Sequence, residues 1–510
     1  MTKTYTTKEE VFEQAQIILK KSLRDVISES EIKKVEAEID QYNNQKKGLL
    51  GELVERFVFG LETNNRAEAD FYIAGVELKT NPLKNHKKNK YASKERLVFS
   101  MIDYEKVVNE TWGESSFLKK NRVLLLMFYL WLKEQSIIDY EFKFVYLLNL
   151  LEDISDEDIL QIQKDWEFIV EKIKRGEAHL LSEGDTYYLG ACTKAANSRV
   201  VRDQPQSRIL AKPRAFSFKQ QYLNYLIQKK LLGREINTES IFKKVRRITT
   251  LEDLFKSKFS RFVNKTDKEI LVTLGEKAER KSKQYKRILA NLILGVRGNK
   301  VEELEKANVT LKVITLEPSG ALKESLSFPA FDYKDLVTQV WYDEDEEKMS
   351  DFHYQLETKK FLFVIFQKIK ESNDIVLRKT MFWNFPMKDI EKARDVWEKT
   401  ISLINEGRIV KEIKIDKNGK EKRFSYFPGL SFNGVAHVRP HGADKEDENE
   451  LPTHDELTGK SSYTKQCFWL NATYIQKVII EELTEAVFSN RKMIPKSRRF
   501  RIDLLSRLIY

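Results

Sequence analysis

The sequence predicts an α/β protein assembled as a tandem duplication. Three observations predict it. Helical stretches alternate with short β-branched and aromatic runs along the chain. Blocks of residues return in the same order about half a chain later. The length of 510 residues exceeds what one hydrophobic core usually organises.

The repeat is visible within the chain alone. Residues 74–83, AGVELKTNPL, return as 307–316, ANVTLKVITL, and 94–105, KERLVFSMIDYE, return as 323–334, KESLSFPAFDYK. Trp166, Glu167, Ile173 and Gly176 have the spacing of Trp397, Glu398, Ile404 and Gly407, while Phe216, Tyr222 and Ile227 recur as Phe468, Tyr474 and Ile479. Offsets between roughly 229 and 252 residues in a preserved order are the mark of duplication. The copies fall at 1–235 and 265–510, joined by a charged, helical-looking linker at 236–264.

The elements follow in order. Helices are expected at Lys8 to Lys21 and at Leu49 to Gly60, the latter with Leu49, Leu50, Leu53, Val54 and Phe57 on its apolar side. A β run spans Phe71 to Leu78, and long apolar segments lie at 122–132 and 361–367. Trp-anchored helices follow Asp165 and Arg394, and Trp166, Trp397 and Phe216 are assigned to the core. The acidic stretches 342–351 and 442–457 read as loops.

Composition removes several classes. Hydrophobic residues at 41% and aromatics at 11% can fill cores, which excludes a disordered chain despite 33% charged residues. Cys192 and Cys467 belong to no Cys/His cluster, so neither a disulfide framework nor a structural zinc is expected. The amino terminus has no apolar signal region, and the longest apolar run, Val123 to Leu132, is too short for a bilayer, so a soluble cytoplasmic protein is expected. A net charge of +11 and a pI near 9.1 suit a polyanionic partner.

The chemistry is concentrated at Asp70, Glu77 and Lys79. In a strand Glu77 and Lys79 project from one face while Val76 and Leu78 pack the other. Asp70 precedes Ala74-Gly75, which can turn the chain and bring its carboxylate beside Glu77. Two carboxylates form a hard oxygen site for Mg²⁺, and an ammonium beside it can orient a water for attack on a phosphodiester. Glu55, on a helix where Gly48 and Gly51 permit close approach, is a fourth candidate. A Glu-x-Lys alone also fits an edge strand facing water; its combination with the upstream Lys-Gly-x-x-Gly-x-x-x-Glu helix and the basic run that follows favours a site. That run, Lys84, His86, Lys87, Lys88, Lys90, Tyr91 and Lys94, reads as a flexible phosphate-contacting loop. His437 and His441 are not read as a metal pair, because Pro440 lies between them and no third ligand is evident.

Four segments, Lys47 through Glu55, Asp70 through Thr80, Thr193 through Ser198 and Pro213 through Phe218, resemble the MutH-like branch of the restriction-endonuclease fold. Within that branch the likeness is to two-domain type II enzymes that cut at GATC. It implies tandem domains, each a mixed sheet flanked by helices, with Asp70 and Glu77 as Mg²⁺ ligands, Lys79 serving the attacking water and Glu55 assisting. It implies DNA contacts from Lys87, Lys88, Lys194, Asn197 and Arg214, and from Arg439 and His441 in the second copy. Cleavage would fall on the 5′ side of the G. This chain has Cys192-Thr193-Lys194 where the mismatch-repair nickase has Arg-Pro-Lys, while Val438-Arg439-Pro440-His441 in the second copy is closer to the nickase.

In the second copy Lys312 stands opposite Lys79, but Thr310 replaces Glu77 and Ala290 replaces Glu55; the counterpart of Asp70 is one of Glu302, Glu303 and Glu305. The second domain is therefore expected to bind a second DNA site and assist without cutting. One centre per chain implies a monomer that self-associates on double-stranded DNA, with no obligate protein partner. The competing readings are a partner-activated nickase and a catalytically silent DNA-binding regulator.

Overall fold

The computed structural model describes residues 3–480 apart from 42–47, 62–67, 87–89, 195–198, 243–247, 299, 344–347, 416–418 and 420. In the first half the strand Val76–His86 pairs in parallel with Val123–Leu130, Glu77 opposite Leu124 and Lys79 opposite Leu126. Phe142–Asn149 and Lys90–Ser93 complete a four-stranded mixed sheet. A three-stranded antiparallel sheet has Arg214–Phe218 at its centre, between Leu97–Met101 and Leu189–Thr193.

The second half repeats both sheets. Val309–Leu316 pairs in parallel with Lys360–Lys368, which pairs antiparallel with Ile375–Asn384. The smaller sheet places Gln466–Leu470 between Leu326–Phe331 and Ala436–Pro440. Thr310 lies opposite Phe361 as Glu77 lies opposite Leu124. The chain is thus a tandem α/β fold.

Alternation along the strands gives each main sheet two apolar faces, and these build three cores in series. The helices Lys8–Ala15, Glu29–Gln41 and Leu49–Phe57 cover Val76, Leu78, Leu125 and Met127. The opposite face, Leu124, Leu126 and Phe128, packs on Phe99, Phe216, Phe218 and the helix Asp156–Lys174. That middle core continues without a break into Leu289, Ile293, Leu311 and Leu362 of the second half. Phe361, Phe363 and Ile365 face the last core with Phe328, Trp397 and Phe468. The halves therefore stack head to tail, the helical layer of the second against the lobe of the first.

Several expectations change. Residues 236–264 are more than a linker, because the helix Leu251–Ser260 buries Leu251, Leu254, Phe255 and Phe259 in the middle core. The β run expected from Phe71 starts as a strand only at Val76. Within 442–457 the buried Asp455 accepts the backbone N–H groups of Ile409 at 3.1 Å, Val410 at 2.8 Å and Thr458 at 2.9 Å, so this acidic stretch anchors a strand. In 342–351, Tyr342–Asp343 pairs with Lys348–Met349. Lys84 belongs to an antiparallel ribbon, opposite Ala92, and not to a loop. Trp166, Trp397 and Phe216 are buried, and both cysteines are buried and free. No described helix is long and apolar enough to cross a membrane.

Polar contacts seal the junction. Lys306 of the second half meets Asp158 of the first at 2.6 Å, each side chain 5% exposed, and Tyr222 donates to the same carboxylate at 3.2 Å. Lys360 donates to Asp185 O at 2.6 Å above the Tyr187 ring, and Asn384 donates to the Asp185 carboxylate at 3.0 Å. Removing one member of a buried ion pair leaves the other charge without compensation. Lys306→Ala is expected to destabilise the chain by about 3–5 kcal/mol in urea unfolding; a loss below about 1 kcal/mol would show that the junction does not depend on this pair.

Candidate active site

The site begins with a turn. Phe71 and Val76 form an antiparallel bridge, Phe71 N–H donating to Val76 O at 3.0 Å and Val76 N–H donating back at 3.3 Å. Gly75 closes it at φ +66°, a left-handed backbone that glycine adopts at little cost. The turn brings Asp70 back alongside the strand, where its carboxylate accepts the Leu78 N–H at 2.9 Å and its own N–H donates to Glu77 Oε2 at 3.2 Å. The sequence expectation that Asp70 returns to Glu77 is thus realised in the geometry.

Glu77 is 2% exposed. Lys79, two residues on and on the same face, donates to Glu77 Oε1 at 2.6 Å. Lys120, from the short helix Ser116–Asn121 that leads into the neighbouring parallel strand, approaches the same oxygen at 3.6 Å. Sequence reasoning missed Lys120; its signal was a lysine just before the apolar run that pairs with the site strand. Burial pushes the Glu77 carboxyl up, against the pull of Lys79 and with the added push of Asp70.

Glu55 projects from the helix Leu49–Phe57, whose Leu49, Leu50, Leu53 and Val54 are buried beneath the sheet. Gly51 permits this closeness, since a Cβ there would lie 3.3 Å from Thr80 Oγ1. Burial first, and then the charges of Asp70 and Glu77, push the Glu55 carboxyl up to about 7. A group poised near neutrality can hold a proton or release it during a reaction.

The other predicted residues are dispersed. Lys87, Lys88 and Asn197 lie outside the described residues. Lys194 is partly buried, its N–H donating to Pro213 O at 2.9 Å. Arg214 is buried in this structure: it is 5% exposed, donates to Ala191 O at 2.8 Å and lies 3.7 Å from Glu357 of the second half. Burial pushes Glu357 up, but the His353 hydrogen bond and the charges of Arg214 and Arg96 outweigh it and hold its carboxyl at about 2. In the second half Arg439 is exposed with its guanidinium 4.8 Å from the Trp469 ring centre, and exposed His441 packs edge-on against the same ring. His437 is buried, bonded to Asn471 at 2.6 Å and stacked on the Trp469 ring at 6.3 Å between centres.

A mixed sheet carrying two adjoining carboxylates and a lysine, in a basic two-part chain, defines a phosphodiesterase of the restriction-endonuclease fold. Comparison with known proteins agrees. The family model described as DNA mismatch repair enzyme MutH matches residues 59–165. The chain is 32% identical over 503 residues to a Staphylococcus aureus protein named Type II restriction enzyme Sau3AI, covering 93% of this chain and 99% of that one. It is 29% identical over 193 residues to the DNA mismatch repair protein MutH of Shewanella oneidensis, covering 37% of this chain and 82% of that one. The chain belongs to the MutH-like restriction endonucleases and is a site-specific deoxyribonuclease.

The raised carboxyl of Glu55 has a consequence for stability. In the folded chain without divalent metal it keeps its proton to about 7, while the unfolded carboxyl loses it near 4.5. Stability from this group is therefore complete below about 4.5 and lost as pH rises through about 7. With metal removed, Glu55→Gln is expected to melt above the wild type at pH 8 and level with it at pH 5; parallel curves across that range would contradict the burial of this charge.

Proposed function

We propose that this restriction endonuclease makes magnesium-dependent double-strand cuts at GATC, on the 5′ side of the G, using the Asp70, Glu77, Lys79 centre. The observation that carries the chemistry is the joined pair of carboxylates with Lys79 on Glu77. The choice of GATC follows the likeness of the Gly-Val-Glu-Leu-Lys-Thr strand and its companion segments to enzymes that cut there.

The donor set suits magnesium, which takes one or two carboxylates and fills its remaining positions with water and substrate phosphate. Asp70 and Glu77, each accepting an N–H from the other's segment, are the carboxylates that would hold it. Bound there, the ion would polarise the scissile phosphate and acidify a water. The chain's own residues do the rest. Lys79, 19% exposed, holds its ammonium at the mouth of the site, where it orients the attacking water and balances charge on the phosphate. Lys120 shares that charge from the adjoining helix. Glu55 takes up a proton at its carboxylate and returns it to solvent. The second half binds a second DNA site through the surface around Arg439 and His441, and Lys194 contacts DNA from the first half.

Purified chain incubated with Mg²⁺ and plasmid unmethylated at adenine is expected to yield fragments whose ends map to GATC. Glu77→Ala should lower the rate by about a thousandfold or more. Ends at another sequence would refute the specificity, and equal cutting by the variant would refute the site. In sedimentation the free chain is expected at its monomer mass of 60.1 kDa, doubling on a palindromic duplex; a stable dimer without DNA would rule out assembly on the substrate.

A further inference from the structure

The second half has lost the carboxylate pair, yet the equivalent place is not apolar. Thr310 holds the register of Glu77 and Lys312 that of Lys79. On the helix Tyr285–Leu294, aligned through Gly295 with Gly60, Ala290 stands at the position of Glu55 and Arg287 at that of Glu52. Arg287 donates to Leu311 O at 2.5 Å, which seats its guanidinium beside the strand next to Lys312. Lys312 itself donates to Ser327 O at 3.3 Å.

A third cation comes from Lys359, which joins the helix Asp351–Thr358 to the strand Lys360–Lys368. Lys360 turns to Asp185 and Tyr187 at the junction, and alternation of the extended chain sends Lys359 to the other side, where its charge bears on Lys312. Of the three carboxylates that could have replaced Asp70, two are engaged at the junction. Glu302 accepts from Tyr225 at 2.9 Å, and Glu303 accepts from Ser240 at 2.6 Å and from the Ile241 N–H at 3.0 Å. Glu305 counters Arg287 and Lys359, but it is 54% exposed and also faces Lys300 at 4.0 Å.

The sign of the centre is therefore inverted. In the first half Glu52, Glu55, Asp70 and Glu77 outnumber Lys79 and Lys120 and attract a cation. In the second, Arg287, Lys312 and Lys359 outnumber Glu305. Partly buried like charges oppose one another, a cost to folding that a bound anion removes. Burial, followed by the charges of Lys359 and Arg287, lowers the Lys312 ammonium. The three cations are partly exposed, and Lys312 bonds Ser327 O of the strand that flanks Gln466–Leu470 on one side while the exposed Arg439 pairs with Cys467 from the other.

We propose that the altered centre of the second half is a metal-free phosphodiester site, in which Lys312, Lys359 and Arg287 hold one backbone phosphate of duplex DNA at the place where the first half holds its metal. This rests on the reading that the second half binds DNA.

The test uses the full chain in EDTA, titrated with a short GATC duplex, with binding followed to two duplexes per chain across a range of salt. Lys312→Gln combined with Lys359→Gln is expected to weaken the second binding event about tenfold or more, and to flatten its log affinity against log salt slope by roughly one per lost phosphate contact. Lys359→Arg, which keeps the charge, should bind as the wild type does. Lys359→Gln alone serves if the double variant fails to fold, and the melting temperature reports that. If the wild type binds two duplexes and the neutral variants do so with unchanged affinity and slope, the proposal falls while the second-site reading stands. If the wild type cuts DNA but binds only one duplex, both fall and the active-site assignment survives. Inorganic phosphate that raises the melting temperature of the wild type above chloride at equal ionic strength, with no change in the duplex slope on substitution, would make the ligand a free anion and overturn the duplex assignment.

Discussion

The proposed catalytic centre depends on the turn between Phe71 and Val76. Two carboxylates side by side repel, and a strand alone would place Asp70 far from Glu77. The turn overcomes both obstacles with backbone: each carboxylate accepts an N–H from the other's segment, so the pair is fixed by peptide groups before any ligand arrives. The turn is itself held by packing. Phe71 is buried with its ring edge-on to Tyr5 and Phe59, at 5.3 and 4.9 Å between centres. The helical layer at the amino terminus thus holds the turn that carries Asp70, and the same layer brings Glu55 in through the Gly51 approach to Thr80.

Much of this was legible in the sequence because strand alternation is a local rule. Val76, Glu77, Leu78 and Lys79 sort themselves by face, and Ala74-Gly75 announces the turn. The repeat was legible for the same reason, since both copies bury the same positions. What escaped depends on contacts between distant elements. Lys120 reaches Glu77 only because its helix leads into the strand paired in parallel with the site strand. The burial of Arg214 is of the same kind, since head-to-tail stacking sets Glu357 beside it. Asp455 reads as solvated charge, and only the fold supplies the N–H groups it satisfies. The helix Leu251–Ser260 is a different kind of miss. Its Leu251, Leu254, Phe255 and Phe259 have helical spacing, and the charges between them disguised an apolar face.

Duplication followed by divergence explains why the two centres share a scaffold and differ in charge. The parallel strand pair, the glycine-ended helix and the smaller sheet are kept because each core requires them. Thr310 is partly exposed, whereas Ala290 is buried in the middle core, where its small side chain spares the helix a buried carboxylate, and Arg287 lies one helical turn away.

The stacking also limits how one chain can treat a palindrome. A two-fold pair requires the same surface on both partners. Here the lobe of the first half meets the helical layer of the second, which are different surfaces, so the two strand pairs are not related by a two-fold axis. Even with carboxylates restored at Thr310 and Ala290, the second centre could not face the opposite strand of one palindromic site as a symmetric partner of the first. Symmetric cutting of both strands in one encounter would therefore call for a second chain, which is the arrangement the proposed assembly on DNA supplies.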